Sequence, residues 1–342
     1  MPICSGRTPA RRLHLHLPRR QRFRDPAALS TARDKTPLLL ALLAVTLFSG
    51  TPTGTRIASL ALGGDMTGCA RALLGGVVAA IMLTIIRPPW PTSGQWRVLL
   101  LVTLSVGLGF PLVIARAIAG TGAGHAAVAL GLIPLATTAL GAWWNGERVR
   151  PRTLLATAVG TIAVVAEAWS ASGGQLTASD GYLALAVVLS AIGYVAGARL
   201  SATMPGWQVI CWANAAGLPV AVLWAGTIAR HHPGVLDRLA TAPLAAWLGV
   251  AWIGIISQVM GFIPWYAALS RGGISRASQI QLLQPGLSVL AAWACIGEIP
   301  RLGTVAAMLV VVFALALNRR APATPSSAVD LALTVTCPQI SR

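Results

Sequence analysis

The polar side chains able to do chemistry in this chain are few. Gln281, Gln284 and Ser288 recur at i, i+3 and i+7, which puts them on one face of an otherwise apolar helix. A carboxamide in apolar surroundings needs a partner, either a neighbouring helix or a polar molecule in a cavity, and it offers both a donor and an acceptor. Thr51, Tyr194 and Trp265 are hydroxyl and aromatic groups inside apolar stretches that could face the same space. Glu167 is the acidic residue clearly inside an apolar stretch and the first proton-coupling candidate; His125, near the start of another stretch, is a second candidate or a solvated helix end, and Arg56 is a gate candidate. Arg56, Arg71 and Glu167 all fall near one end of their apolar stretches, so Glu167 is expected to pair with one of the two arginines. The competing reading is that these charges snorkel to the membrane surface.

Such residues need elements to hold them, and the composition says which. Of 342 residues, 55% are hydrophobic and 10% charged, with mean hydropathy +0.71. Soluble domains carry roughly 25% charged residues, so an ordinary water-soluble enzyme is excluded. The net charge of +17 is interleaved with apolar runs rather than gathered on a soluble fold, which argues against nucleic acid as a partner. The five cysteines are scattered, with no CxxC, and indicate neither a disulfide framework nor a metal site. A membrane span takes about 20 mostly apolar residues. Breaking the chain at charges, Pro and Gly gives ten, near 37–58, 66–86, 97–118, 122–145, 152–170, 181–200, 207–229, 243–270, 274–296 and 301–318. The expected fold is therefore an all-α integral membrane protein. With both termini inside, twenty Lys and Arg lie on the inner side and four on the outer, as the positive-inside rule requires.

The chain also repeats itself. Shifted by 151 residues, Pro134, Gly146, Glu147, Arg150 and Thr153 fall on Pro285, Gly297, Glu298, Arg301 and Thr304. Shifted by 143, Leu40, Val45, Gly50, Gly54 and Arg56 fall on Leu183, Val188, Gly193, Gly197 and Arg199, and Thr51 falls on Tyr194. Each half then holds five helices. An odd number makes the second half enter from the opposite side, and inverted repeats are the architecture of alternating-access carriers, with the substrate site near the midplane. The halves run over 37–170 and 181–319, between a basic tail at 1–36 and a second tail at 320–342. The first tail reads as disordered chain on anionic lipid or as an extension from a misplaced start.

Several stretches resemble the EamA family of the drug/metabolite transporter superfamily: Gly109-Phe110-Pro111-Leu112, the run from His125 to Leu135, Asn145-Gly146-Glu147-Arg148, the run from Trp265 to Pro285, and Ile296-Gly297-Glu298. The resemblance covers about 37–318. It implies two five-helix repeats around a central cavity and secondary transport, often export, of amino acids or other small metabolites across the cell membrane. Where family members often carry a Trp-Gly-Ser-like motif in the first helix, this chain has Phe48-Ser49-Gly50-Thr51-Pro52-Thr53, so the substrate does not carry over.

The repeated residues have structural readings as well. Gly146 and Gly297 can end helices, and Glu147 and Glu298 can cap the next one or form gate ion pairs with nearby arginines. Pro134 and Pro285 free a backbone carbonyl inside a span and permit a kink. Gly50-x3-Gly54 and Gly193-x3-Gly197 allow close helix contact. A channel-like facilitative permease is the alternative to a carrier. An integral-membrane transferase fits poorly, since no aspartates are adjacent or spaced DxxD or DxxxD for magnesium, and no Walker A motif points to ATP. No cofactor is implied. The partners are a small-molecule substrate and the bilayer, with a homodimer left open.

Overall fold

The computed structural model describes residues 35–144, 151–171, 173, 175–281 and 283–319. The two tails, Gly146 and Glu147 lie outside them. Among the described residues every regular element is helical. In chain order these are α1 (Thr36–Ser49), α2 (Thr51–Leu62), α3 (Gly64–Ile86), α4 (Ser93–Val102), π1 (Thr103–Gly109), α5 (Phe110–Thr121), α6 (Ala123–Leu130), α7 (Ile133–Trp144) and α8 (Pro151–Ala171). They continue as α9 (Ala178–Leu200), α10 (Gly206–His231), α11 (Val235–Thr241), α12 (Leu244–Ala251), π2 (Trp252–Met260), α13 (Phe262–Gln281), α14 (Leu283–Ile296) and α15 (Leu302–Arg319).

Several of these join end to end. Seven helical runs among the described residues are long and apolar enough to cross a membrane: Thr36–Leu62, Gly64–Ile86, Ser93–Thr121, Ala123–Trp144, Ala178–Leu200, Gly206–His231 and Leu244–Arg271. Three shorter apolar stretches, Ala158–Ser170, Leu283–Ile296 and Leu302–Ala314, accompany them. Two reversals are made by one residue each. Gly63 (φ 79°) separates α2 from α3 and Gly122 (φ 97°) separates α5 from α6, in a backbone region that side chains resist. One boundary differs from the sequence expectation. No break occurs between 270 and 274; the backbone stays helical from Phe262 to Gln281, so 274–281 belongs to α13. Gly272 and Gly273 do not by themselves stop a helix, and α13 runs through both.

The π segments have a local cause. Pro111 has no N–H to offer the carbonyl of Val106 five residues back, and the Phe110 N–H bonds to the Ser105 carbonyl instead. In the second segment the Gly261 N–H likewise reaches Ile256, with Pro264 just beyond. π1 ends at Gly109 and π2 at Met260, again 151 residues apart. A π turn leaves carbonyls unclaimed by the helix, and such turns gather at functional sites.

The helices meet through small residues. The closest pairs are α3 with α10, α1 with α13, α8 with α15, α5 with α9 and α2 with α12. Gly50 lies against Trp252, Gly193 against Val106 and Gly197 against the ring of Tyr266, whose hydroxyl donates to the Gly193 carbonyl at 3.1 Å. At Gly68 the approach is backbone on backbone: a Cβ there would stand 2.6 Å from the Pro111 carbonyl oxygen. Gly226 of α10 has nothing within 4 Å. Gly68→Ala is therefore expected to force α3 from α5 and lower the thermal unfolding temperature in detergent. Gly226→Ala should leave it unchanged or raise it, because Ala is favoured over Gly in a helix by about 1 kcal/mol. Equal effects of the two substitutions on Tm would refute this account of the crossing.

Candidate functional site

Four elements converge on one fully buried amide. Gln258 of π2 accepts a hydrogen bond from Arg71 Nε of α3 at 2.8 Å. Its Nε2 donates to the Val106 carbonyl that π1 leaves free, at 2.7 Å, and to Asn214 Oδ1 of α10 at 2.9 Å. The arginine can only donate and the carbonyl can only accept, so both neighbours fix the amide in the same orientation. Beside it, Arg71 Nη2 donates to Ser257 Oγ at 3.3 Å, and Ser257 shares a 2.6 Å hydrogen bond with Thr51 of α2. The guanidinium lies over the Phe110 ring, 5.0 Å from its centroid, a cation–π contact. Gly75 makes the room, since a Cβ there would come within 2.7 Å of Gln258 Cγ.

Arg71, Ser257 and Thr51 of this network form the polar wall of a small central cavity of about 20 Å³, room for about one water. Phe48, Thr51, Arg71, Val106, Phe110, Leu130 and Ile133 line it from one half of the chain. Ser190, Tyr194, Ser257, Phe262 and Gln284 line it from the other. Tyr194 packs against Phe262 and Trp265, and Trp265 against Phe48. Of the residues singled out in the sequence, Thr51, Tyr194 and Gln284 thus meet at one cavity, and Trp265 stands behind Tyr194. Gln281 is buried three residues before Gln284, and neither Gln281 Nε2 nor Gln284 Oε1 has a partner. Pro134 and Pro285 are buried near the starts of α7 and α14, and two turn residues, Gly131 and Leu132, precede α7.

The expected charge pairing is not what forms. Glu167 meets neither Arg56 nor Arg71. Its carboxylate is ion-paired with His125 Nδ1 and accepts from Thr304 Oγ1 at 2.9 Å. Arg56 instead donates to the carbonyls of Ile118 and Ala119, closing the last turn of α5. Arg71 does not snorkel; it is 2% exposed and turned inward. The reason is geometric, since α8, which carries Glu167, packs against α15, α7 and α6, whereas Arg71 points from α3 toward π2. His125 is no solvated helix end, for its Nε2 also lies 3.0 Å from Asp180 Oδ1. This second group opens on a depression of about 410 Å³ at one end of the bundle, lined also by Glu298, Arg301 and Thr304. Glu298 acts as a cap, as its repeated position suggested, but for α6 rather than for the helix after it. Its two oxygens accept from the backbone N–H groups of Ala123 (3.2 Å) and Gly124 (2.8 Å). A carboxylate at that helix end is favoured by the dipole too.

Sequence reasoning did not single out Gln258, Asn214 and Ser257, and it took Arg71 only as a charge to be paired or solvated. The available signal was Arg71 itself, a cation inside an apolar run, together with Asn214 and Gln258 as amides inside others.

Described residues whose regular elements are all helical, with several runs long and apolar enough to cross a membrane and a small buried cavity among them, define a multi-pass membrane protein, and comparison with known proteins gives its class. The sequence model of the EamA-like transporter family matches twice, over residues 35–166 and 178–320, and the chain belongs to that family. It is a membrane transporter rather than an enzyme. It is 33% identical over 278 residues to the uncharacterized transporter YdeK of Bacillus subtilis, covering 81% of this chain and 95% of that protein. It is 26% identical over 201 residues, 58% of this chain and 65% of the other, to a protein of Streptantibioticus cattleyicolor named "Probable terminal-alkyne amino-acid exporter". A solved crystal structure superposes with a TM-score of 0.58 at 19% identity, covering 83% of this chain and 98% of that one, so the fold is one already seen.

Gln258→Leu keeps the volume while orphaning Arg71 Nε, Asn214 Oδ1 and the Val106 carbonyl. It is expected to cost about 3 kcal/mol or more and to lower Tm further than any single change at the bundle end. Glu298→Ala should cost about 1 kcal/mol by uncapping α6, with Glu298→Gln milder. Thermal unfolding of the purified protein in one detergent checks the order, and a Gln258→Leu protein as stable as wild type would refute the network's role.

Proposed function

We propose that this chain is a secondary carrier that exports amino acids or other small metabolites across the cell membrane by alternating access. The observation that carries the reading is the small central cavity, walled by buried residues from both halves, with polar groups facing an aromatic lining. In this arrangement it has room for about one water, so substrate entry requires the halves to part. The π segments and the break at Gly131–Leu132 ahead of Pro134 are where the helical hydrogen-bond ladder is weakest and motion costs least.

Several observations support ten spans in two inverted halves, 37–170 and 181–319, with both tails on the cytoplasmic side. Three shorter apolar helices added to seven long runs make ten. The family model matches once per half. The two π segments stand at the repeat offset. The helix contacts exchange as a two-fold axis would have them: α1 with α13 corresponds to α9 with α5, while α3–α10, α6–α14 and α8–α15 map onto themselves. The amino-acid class draws on the resemblance and on the name of the Streptantibioticus relative.

His125 is the proton-coupling candidate, held between Glu167 of α8 and Asp180 of α9, with Glu298 and Arg301 facing the same depression. It sits on α6, whose Leu130 reaches the cavity, so a change of charge there has a short path to the substrate.

Proteoliposomes loaded with a panel of labelled amino acids, with and without a pH gradient, test the reading. Gradient-driven flux of one class is the expected result, with Glu167→Gln and His125→Ala each losing most of the gradient dependence. Flux that follows only the substrate's own gradient would instead identify a facilitative permease. Cysteine placed at Gln281 or Gln284 should react with aqueous thiol reagents, and protection there while neighbouring positions react would remove both from the site.

A further inference from the structure

We infer that Arg71 is the carboxylate anchor of the central cavity, and that the substrates are α-amino acids or similar zwitterions bearing a single carboxylate, with the amino group directed to the Gln284 side-chain oxygen. The inference rests on the cavity being the transport site. It starts from a charge that is buried but not satisfied. Arg71 is 2% exposed and uses Nε and Nη2 on Gln258 and Ser257, while Nη1 has no hydrogen-bond partner. Among the described residues no carboxylate pairs with it; Asp65 is taken by Arg116, and Glu167 and Asp180 by His125. A guanidinium at this depth is costly without an opposite charge, and its planar fork suits a carboxylate.

The second half of the recognition lies opposite in chemistry. Gln284 Oε1 is a buried acceptor without a donor, on the lining of the same cavity. One unpaired cationic donor and one unpaired neutral acceptor are the complement of a carboxylate and an ammonium on one small molecule. Beside the hydroxyls of Thr51, Ser190 and Ser257, most of the remaining wall is apolar or aromatic, with Phe48, Phe110, Tyr194 and Phe262, which favours a largely apolar remainder. A doubly charged phosphate would find only one cation among the lining residues, whereas a single carboxylate matches the charge present.

The test compares each proteinogenic L-amino acid with its C-terminal amide, measured by isothermal titration calorimetry on the purified full-length protein. At least one acid is expected to bind, with its amide about tenfold weaker or more, as loss of a charged hydrogen-bonded pair implies. This arm needs no variant. In Arg71→Lys, kept only if it elutes as a single species, affinity for that acid should fall by a similar factor while affinity for the amide stays level. An amide that binds as well as its acid, an Arg71→Lys protein that binds the acid as wild type does, or no binding by any acid would each overturn the inference. Gradient-driven flux of a solute lacking a carboxylate would sink it while leaving the carrier reading intact. Acid-over-amide binding without flux would sink the carrier reading and leave the anchor standing.

Discussion

A fully buried amide and the cation it holds are the constraint to which the rest of the bundle answers. Gln258 joins α3, π1, α10 and π2 through hydrogen bonds that no water can replace at that depth. In apolar surroundings each unmade bond would cost more than it would at a surface, so the helices around Gln258 have little freedom in register. The polar wall of the cavity follows, because Arg71 and Ser257 are oriented by the same contacts that hold the four elements together.

The backbone is adapted to that constraint at two levels. Pro111 removes a donor from its own helix, and the carbonyl so released is the one that Gln258 caps from another helix. Glycine supplies the space: Gly75 admits the Gln258 side chain, and Gly197 admits the ring of Tyr266. With little gain to be had from hydrophobic burial between helices in lipid, such close approach is what lets dispersion and interhelical hydrogen bonds hold a bundle. The two polar groups of the protein therefore differ in kind. The central one is an amide–guanidinium network with donors and acceptors left over. The one at the bundle end is a histidine closed between two carboxylates and beside a helix cap.

Much of the fold was legible in the sequence because lipid imposes a simple code. Apolar run length marks candidate spans, and the short joints it leaves at 58–66 and 118–122 hold the reversals that the structure makes at Gly63 and Gly122. The repeat was legible too, since Pro134 and Pro285 keep their spacing to the glycine–glutamate pairs. At the site, Thr51, Tyr194 and Gln284 could be picked out as polar or amphipathic groups within apolar helices, and they meet at the cavity. Gln258 could not be distinguished in this way from any other intramembrane amide, because its importance lies in three partners far away in the chain. Glu167 was misassigned for a related reason. Depth alone made Arg56 and Arg71 suitable partners, but depth does not say which helices are neighbours.

By itself, then, the sequence determined the membrane environment, the helical class, the apolar runs and the repeated residue pattern, because each is a property of local composition and spacing. Only the tertiary structure decided which polar groups are satisfied and which are left waiting. It turned Arg71 inward to Gln258, gave Glu167 to His125, sent Glu298 to the start of α6, and left Arg71 Nη1 and Gln284 Oε1 unpartnered at the centre. Hydrogen bonds and ion pairs act over a few ångströms, so their partners are chosen by helix packing and not by position along the chain.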